Sequence, residues 1–349
     1  MRKSDEVYII GEIGQNHNGS VDIAKNIINA AAQPVDEKLF GLFLQPMNAV
    51  KLTKRDLKHE LSQSQMDRPY VNANSFGSTY GEHRFKLELN DEQHFELYQY
   101  AKTKNLDFVE TLCAVGCLSL LKLFTPNFLK VASRDLTNLP LLTALAETKI
   151  PIIISTGMAG KKELDDGLAA IVKYHDDISI LHCVSQYPTE PKSVNLLTIK
   201  WLLKNYSQYT IGYSDHTIGI SAPIAAAAIG AKIIEKHITL DRKMKGTDQA
   251  GSLGVDGINR LVRDLRVLEI SFGKEEIFID SSVQGAREKL ERSVASNRLI
   301  RKGEIINEND IHLLSPGDGI KWADRHLILG RKAEIDIVKD EIIYSSFLQ

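Results

Sequence analysis

The sequence predicts an α/β fold: a closed (β/α)8 barrel of the TIM type, followed by a small β-rich domain. Three observations predict it. Short β-rich apolar runs alternate with longer amphipathic stretches, eight times in succession. Each run ends in polar residues, which is where loops and chemistry sit in such a barrel. Beyond residue 273 the helical period gives way to short β-like pieces around Gly303 and the turn at Pro316, Gly317 and Gly319. Eight strand-then-helix units over about 270 residues suit a closed barrel. A doubly wound open sheet usually has fewer strands, and no glycine fingerprint for phosphate follows the first run.

The expected strands are, in order, VYIIGEIG (7–14), LFGLFLQ (39–45), LDFVETL (106–112), FLKVASRD (128–135), PIIISTG (151–157), ISILHCVSQYP (178–188), YTIGYSDHT (209–217) and KIIEKHITL (232–240). Helical stretches such as SVDIAKNIINAAA, KKELDDGLAAIVKYH and VDGINRLVRDLRVLEISFG lie between and after them. In the first run Glu12 stands inside the strand and needs a partner, whereas Asn18, Gly19 and Ser20 read as turn and N-cap chemistry for the next helix. Domain boundaries follow: barrel 1–273, linker 274–288, and a C-terminal domain 289–349, which at about 60 residues is marginal as an isolated unit.

Composition narrows the function. The 349 residues are 43% hydrophobic and 25% charged, with a net charge of -2 and no basic stretch, so there is no electrostatic footprint for nucleic acid. No apolar run approaches the roughly 18 residues of a membrane span, and MRKSDEVYII lacks a signal-peptide core, so a cytoplasmic location is expected. Cys113, Cys117 and Cys183 have no metal-ligand spacing and read as small apolar residues.

The sharpest constellation is YSDHTIG followed by IIEKHITLDRKMKGTD, which places His216 and His237 at neighbouring strand ends. Two imidazoles without cysteine suit a borderline divalent ion that keeps positions open for water and substrate oxygens, a Lewis acid.

The stretches GEIGQNHNGS, LKVASRD, IISTGM, LHCVSQYPT, IGYSDHTIGI and IIEKHITLDRKMKGTD together resemble the sialic acid synthase family. The tail ASNRLIRKGEIINENDIHLLSPGDGI with LGRKAEIDIVKDEII is similar to the antifreeze-like (SAF, β-clip) domain that ends these enzymes, so the resemblance covers nearly the whole chain. It implies condensation of phosphoenolpyruvate with an N-acetylated hexosamine, N-acetylmannosamine first, to a nonulosonic acid with release of phosphate. It also implies a domain-swapped homodimer and a divalent cation, Mn2+ first, with Mg2+ or Co2+ as alternatives. Carried over by position, His216 and His237 hold the metal, and Thr111, Lys130, Ser133, Ser155, Ser185 and Ser214 surround phosphoenolpyruvate. Gln45, Asn74, Tyr187, Asp248 and Glu12 fall where the family contacts the amino sugar. Asp135, where many relatives carry glutamate, and Glu12 are the candidate catalytic proton carriers.

Two departures stand out. Relatives have a lysine two residues before the glutamine that ends the second strand, and GLFLQ puts Phe43 there. Ser315 stands where some relatives place an arginine that reaches the sugar. They leave two alternatives: a synthase for legionaminic or pseudaminic acid using a diacetamido sugar, and a catalytically impaired homologue that binds sugar or phosphate. The polar connection HELSQSQMDRPYVNANSFGSTYGEHR is the expected determinant of the acceptor, and its NANSFGSTYGEHR portion resembles the N-acetylneuraminate branch.

Overall fold

Eight parallel strands close on themselves in a computed structural model that describes residues 6–349. They are β1 (Tyr8–Gly14), β2 (Ala49–Lys54), β3 (Asp107–Leu112), β4 (Phe128–Val131), β5 (Ile152–Ser155), β6 (Ile178–Cys183), β7 (Thr210–Asp215) and β8 (Ile233–His237). Each pairs with its sequence neighbour, and β1 pairs with β8 to seal the barrel. Residues 1–5, the start of the expected barrel domain, lie outside the described residues. Contacts divide the chain after Gly273 into two units.

Alternation of side chains along the strands builds the lumen in layers. Ile10, Ala49, Val109, Ile153, Leu181 and Ile233 form a closed apolar layer of their own. Two residues further along each strand, the same face carries Glu12, Lys51, Thr111, Ser155, Cys183 and Glu235. An apolar floor beneath a polar top layer puts charge at the carboxyl ends of the strands. The outer face of the barrel packs against amphipathic helices. The helix Val21–Ala31, for example, starts at Ser20, whose hydroxyl accepts from the Ile23 amide, and buries Ala24, Ile27, Ile28 and Ala31.

The second strand corrects the sequence reading. LFGLFLQ does not enter the barrel: Leu42–Leu44 pairs antiparallel with Val35–Glu37 in a hairpin turned at Gly41, whose φ is +64°. Leu39, Phe40 and Phe43 on this hairpin are 79%, 73% and 67% exposed. The barrel strand is AVKLTK instead, aligned Ile10 to Ala49 and Glu12 to Lys51. Its lumen face carries a lysine and a threonine, so it offers less apolar signal than the hairpin and was the weaker strand by pattern. Gln45, expected among the sugar contacts, is exposed, and its carbonyl accepts from Arg266 Nε at 3.3 Å. The same guanidinium binds the Val7 carbonyl at 2.9 Å and the Asn48 side chain at 2.8 Å, so Gln45 belongs to the amino end of the barrel, away from the chemistry.

The second unit, residues 274–349, has its own core of Val294, Ile300, Ile306, Ile311, Ile337 and Ile343. Ser293–Ser296 and Ile311–Leu314 pair antiparallel, and isolated bridges such as Ile300 with Ile337 tie in the rest. The segment expected as a linker, 274–288, is not all irregular, because Gln284–Leu290 forms a helix. Ser315 is exposed, and its hydroxyl donates to the Leu290 carbonyl at 3.0 Å.

Candidate active site

At the carboxyl end of the strands the lumen opens into a cavity of about 340 Å3. Its floor holds four ionisable groups. Lys51 Nζ lies 3.1 Å from Glu12 and 3.3 Å from Glu235, and Lys130 Nζ lies 3.8 Å from Glu235. All four side chains are nearly inaccessible to solvent. Two carboxyls set against two ammoniums give each buried cation an acidic partner, the condition under which charges tolerate burial.

The two carboxyls are pushed apart. Burial raises Glu12, and the nearby Lys51 does not offset it. Burial works the same way on Glu235, but Lys130, Lys51 and the Ser214 hydroxyl, which donates at 2.8 Å, outweigh it and hold Glu235 below the usual carboxylate range. One acid that keeps a proton beside one that stays ionised is an arrangement suited to proton transfer. Lys130 is lowered by its burial, and it donates to Ser155 Oγ at 2.6 Å.

Hydroxyls ring these cations. Ser133 Oγ accepts from the Gly157 amide at 2.9 Å, and Ser155, Ser185, Ser214 and Thr111 also line the cavity. The Thr111 hydroxyl is buried without a partner among the described residues. Gly157 lets this ring close up: a Cβ there would stand 2.4 Å from Ser185 Oγ and 2.8 Å from Ser133 Oγ. Donors gathered around two ammoniums form a receptor for a phosphate or carboxylate.

On the β7–β8 side, His216 and His237 have ring centroids 5.7 Å apart, and both Nε2 atoms meet the Tyr187 hydroxyl, that of His237 at 2.7 Å. Burial, followed by the other ring for His216 and by Lys51 for His237, lowers both to about 3, so both are neutral. His216 Nδ1 donates to the Val184 carbonyl at 2.8 Å, leaving its Nε2 as an acceptor for the phenol. The phenol has one proton, so His237 must donate from Nε2, which leaves its Nδ1 bare. That atom is indeed buried without a partner. Two neutral Nε2 atoms converging on one point fit a divalent cation in the place of the hydroxyl, with His237 carrying its proton on Nδ1 instead. No group of three or more His, Cys, Asp or Glu completes a metal shell among the described residues, so other oxygens would have to fill it.

Most of the expected site is thus brought together: Glu12, Thr111, Lys130, Ser133, Ser155, Ser185, Tyr187, Ser214, His216, His237 and Asp248 share the cavity. Three expected residues do not line it. Gln45 lies at the opposite end. Asn74 is exposed and accepts from the Gly246 amide at 3.4 Å. Asp135 is turned to Arg134 Nε, 3.2 Å away, although its carboxyl is still raised by burial. Lys236 and Asp215, which also end strands, face outward and pair with each other at 2.6 Å.

Lys51 and Glu235 are the residues that sequence reasoning missed. For Glu235 a signal existed. His237 points inward, so by the two-residue period Glu235 does too and Lys236 does not.

Comparison with known proteins places the chain in a family. Residues 45–277 match the model of the NeuB family and residues 291–349 that of the SAF domain. The chain belongs to the NeuB family. This is an enzyme family of sialic and related nonulosonic acid synthases. The human N-acetylneuraminate-9-phosphate synthase is 32% identical over 338 residues, 96% of this chain and 91% of that protein. The N,N'-diacetyllegionaminic acid synthase of Campylobacter jejuni is 31% identical, over 96% of this chain and 98% of that one. Among solved structures, the N-acetylneuraminic acid (sialic acid) synthetase of Leptospira borgpetersenii in complex with citrate superposes with a TM-score of 0.66 at 30% identity, covering 80% of this chain and 90% of that one. The second barrel strand carries Lys51 on its lumen face, and Phe43 lies on the hairpin outside the barrel, before the matched residues. No helix among the described residues is long and apolar enough to cross a membrane.

Proposed function

We propose that this NeuB-family chain condenses phosphoenolpyruvate with an acylated hexosamine, N-acetylmannosamine or a derivative of it, to a nonulosonic acid and inorganic phosphate. The observation that carries the reading is the pair of buried ammoniums, Lys51 and Lys130, set among serine hydroxyls beside two converging imidazoles. Lys51 also supplies a buried cation in the second strand, whose expected absence at Phe43 was one of the two grounds for an impaired homologue.

In this reading Lys51, Lys130 and the serines hold the phosphate and carboxylate of phosphoenolpyruvate. The open-chain sugar places its aldehyde towards His216 and His237, which would hold a divalent cation, Mn2+ first. Such a cation supplies Lewis acidity to the carbonyl. As C3 of phosphoenolpyruvate bonds to the aldehyde carbon, the carbonyl electrons move to oxygen and Glu12, kept protonated by burial, gives that oxygen its proton. Water then adds at C2 and one of its protons returns to Glu12; the C2–O bond to phosphate breaks as the new C2 hydroxyl becomes the keto oxygen, and its remaining proton leaves with the phosphate. Glu235 stays ionised throughout and keeps both ammoniums in place. A homodimer in which the SAF domain of one chain covers the partner's site belongs to the same reading, and sedimentation velocity tests it.

The deciding experiment is phosphate release from phosphoenolpyruvate, with Mn2+ and a panel of acylated hexosamines, with mass spectrometry of the product. A nine-carbon keto acid formed in step with phosphate supports the reading. Phosphate release without a sugar acceptor, or no release with any, sinks it.

A further inference from the structure

The loop that follows β8 brings Thr247 and Asp248 to the cavity wall. The Asp248 carboxylate forms no hydrogen bond or ion pair among the described residues, yet the main chain that carries it is fixed from behind. Its carbonyl accepts from the Ser252 hydroxyl at 2.6 Å. The next residue, Gln249, turns its side chain into the protein, where Nε2 donates to the Asn16 carbonyl at 3.1 Å and to Asn18 Oδ1 at 3.4 Å, and Oε1 accepts from the Thr239 hydroxyl.

Asn16, just beyond the end of β1, is the other half of this fastening. Its Nδ2 donates to the Ile238 carbonyl at 2.9 Å and to Ser252 Oγ at 2.8 Å. One amide thus joins the two limbs of the loop: the residue after His237 and the residue that holds Asp248. The limbs are also closed on each other, because the Thr239 amide donates to the Leu253 carbonyl at 2.9 Å and the Leu253 amide to the His237 carbonyl at 2.8 Å. Gly246 lets the tip fold back on this stem: its φ is +149°, and a Cβ there would stand 2.9 Å from Gln249 Cγ.

Asn16, Thr239, Gln249 and Ser252 are 1%, 0%, 0% and 2% exposed, so water cannot replace any of these bonds once it is lost. Apolar residues would fill the same space without desolvating four polar side chains, so the network specifies a geometry and does not merely add bulk. What it specifies is the place of a main chain whose unspent carboxylate, that of Asp248, faces the cavity. An acceptor group set in place before a ligand arrives loses little freedom on binding.

We propose that Asn16, Gln249 and Ser252 are positioning residues for the acceptor sugar, acting through Asp248, whose carboxylate accepts from a sugar hydroxyl. None of the three lines the cavity. This rests on the synthase reading of the site and adds to it the device that orients the sugar. It also gives the QNHNGS stretch a role besides the turn and the helix cap: it bolts the β8 loop across the seam where the barrel closes.

The test is a double-mutant cycle on the full-length protein with Mn2+. The ligand is the best bound of N-acetylmannosamine, its 6-phosphate and a diacetamido hexose, with binding read by calorimetry and both KM values by steady-state kinetics. Gln249→Met keeps the volume of the side chain and loses its hydrogen bonds. It should weaken sugar binding about fivefold to tenfold, the worth of a neutral hydrogen bond, and leave the KM for phosphoenolpyruvate within about twofold. Asp248→Ala should cost about tenfold to a hundredfold, and in that background Gln249→Met should cost nothing further, because the group through which it acts is gone. Ser252→Ala, which removes only a hydroxyl, carries the same cycle if Gln249→Met does not fold. Additive losses overturn the proposal, as does a KM for phosphoenolpyruvate that rises in step with that of the sugar. A wild type that binds none of the sugars sinks the synthase reading and this proposal with it, whereas a wild type that condenses the sugar but shows an additive cycle sinks the positioning role alone.

Discussion

Lys51 and Glu12 face each other across the β1–β2 pair, Nζ to carboxylate at 3.1 Å, and both are 5% exposed. The contact joins a carboxyl that burial pushes up to an ammonium raised by Glu12 and Glu235 despite its own burial. Removing Lys51 leaves two carboxyls facing one remaining cation.

Lys51→Met is therefore expected to destabilise the fold by about 3 to 5 kcal/mol, the cost of breaking a buried charge cluster from one side. It should also raise the KM for phosphoenolpyruvate more than that for the sugar. Phe43→Lys is the control. On an exposed hairpin outside the barrel it should change stability by less than about 0.5 kcal/mol and leave the KM for phosphoenolpyruvate as it was. Urea denaturation and steady-state kinetics on both variants check this, and a Phe43→Lys variant with improved phosphoenolpyruvate binding would overturn the strand register.

Glu12 and Glu235 should separate in their pH profiles. If the protonated Glu12 carboxyl is the donor, kcat is highest at low pH and falls as pH rises through its raised pKa, and Glu12→Gln loses both the limb and most of the rate. Glu235, held ionised, adds no limb over about pH 5 to 9. A profile of kcat for the wild type that stays flat across this range would remove Glu12 as the donor.

Tyr187 competes for the point on which the two imidazoles converge. Tyr187→Phe deletes that hydroxyl and the two hydrogen bonds a cation must displace, so Mn2+ should bind about thirtyfold more tightly, at about 1 kcal/mol per bond. His237→Ala should bind none. Titration calorimetry reads both, and weaker Mn2+ binding by Tyr187→Phe would show that the phenol itself is a ligand.

His17 provides a stability test away from the chemistry. Burial, then the neighbouring His94, lowers it to about 3, and its Nδ1 accepts from the Gly19 amide at 3.0 Å, which a proton there would prevent. A depressed histidine contributes stability that is whole above the unfolded pKa of about 6.5 and is lost as pH falls towards 3. At about pH 5 the loss is about 2 kcal/mol. His17→Gln should flatten that part of the curve of denaturation free energy against pH. An unchanged slope would mean that His17 is already charged in the folded protein.

The barrel was legible because its signals are local. Each strand and helix writes its period into contiguous residues, and the serines, Lys130, His216 and His237 stand where those periods end. The second strand was not legible. LFGLFLQ is more apolar than AVKLTK, yet three of its large side chains are exposed while Ala49 and Val50 are fully buried. Apolarity reports burial only on average, and a barrel strand that turns lysine and threonine into a polar lumen loses half of its signal. Gln45 was misplaced by the same slip, because a strand moved along the chain takes its end with it.

The sequence by itself determined the class of fold, seven of the eight barrel strands, the change of period that opens the C-terminal domain and the two histidines. Only the tertiary structure decided which lysine meets Glu12, that Glu235 belongs to the same cluster and that Tyr187 lies between the imidazoles. Each of these is a relation between residues far apart in the chain. Hydrophobic period depends on neighbours within a turn or a strand, whereas the pairing of charges in a lumen depends on closure of the barrel, which brings residue 12 beside residues 51 and 235 through hydrogen bonds between β1 and both of its neighbours.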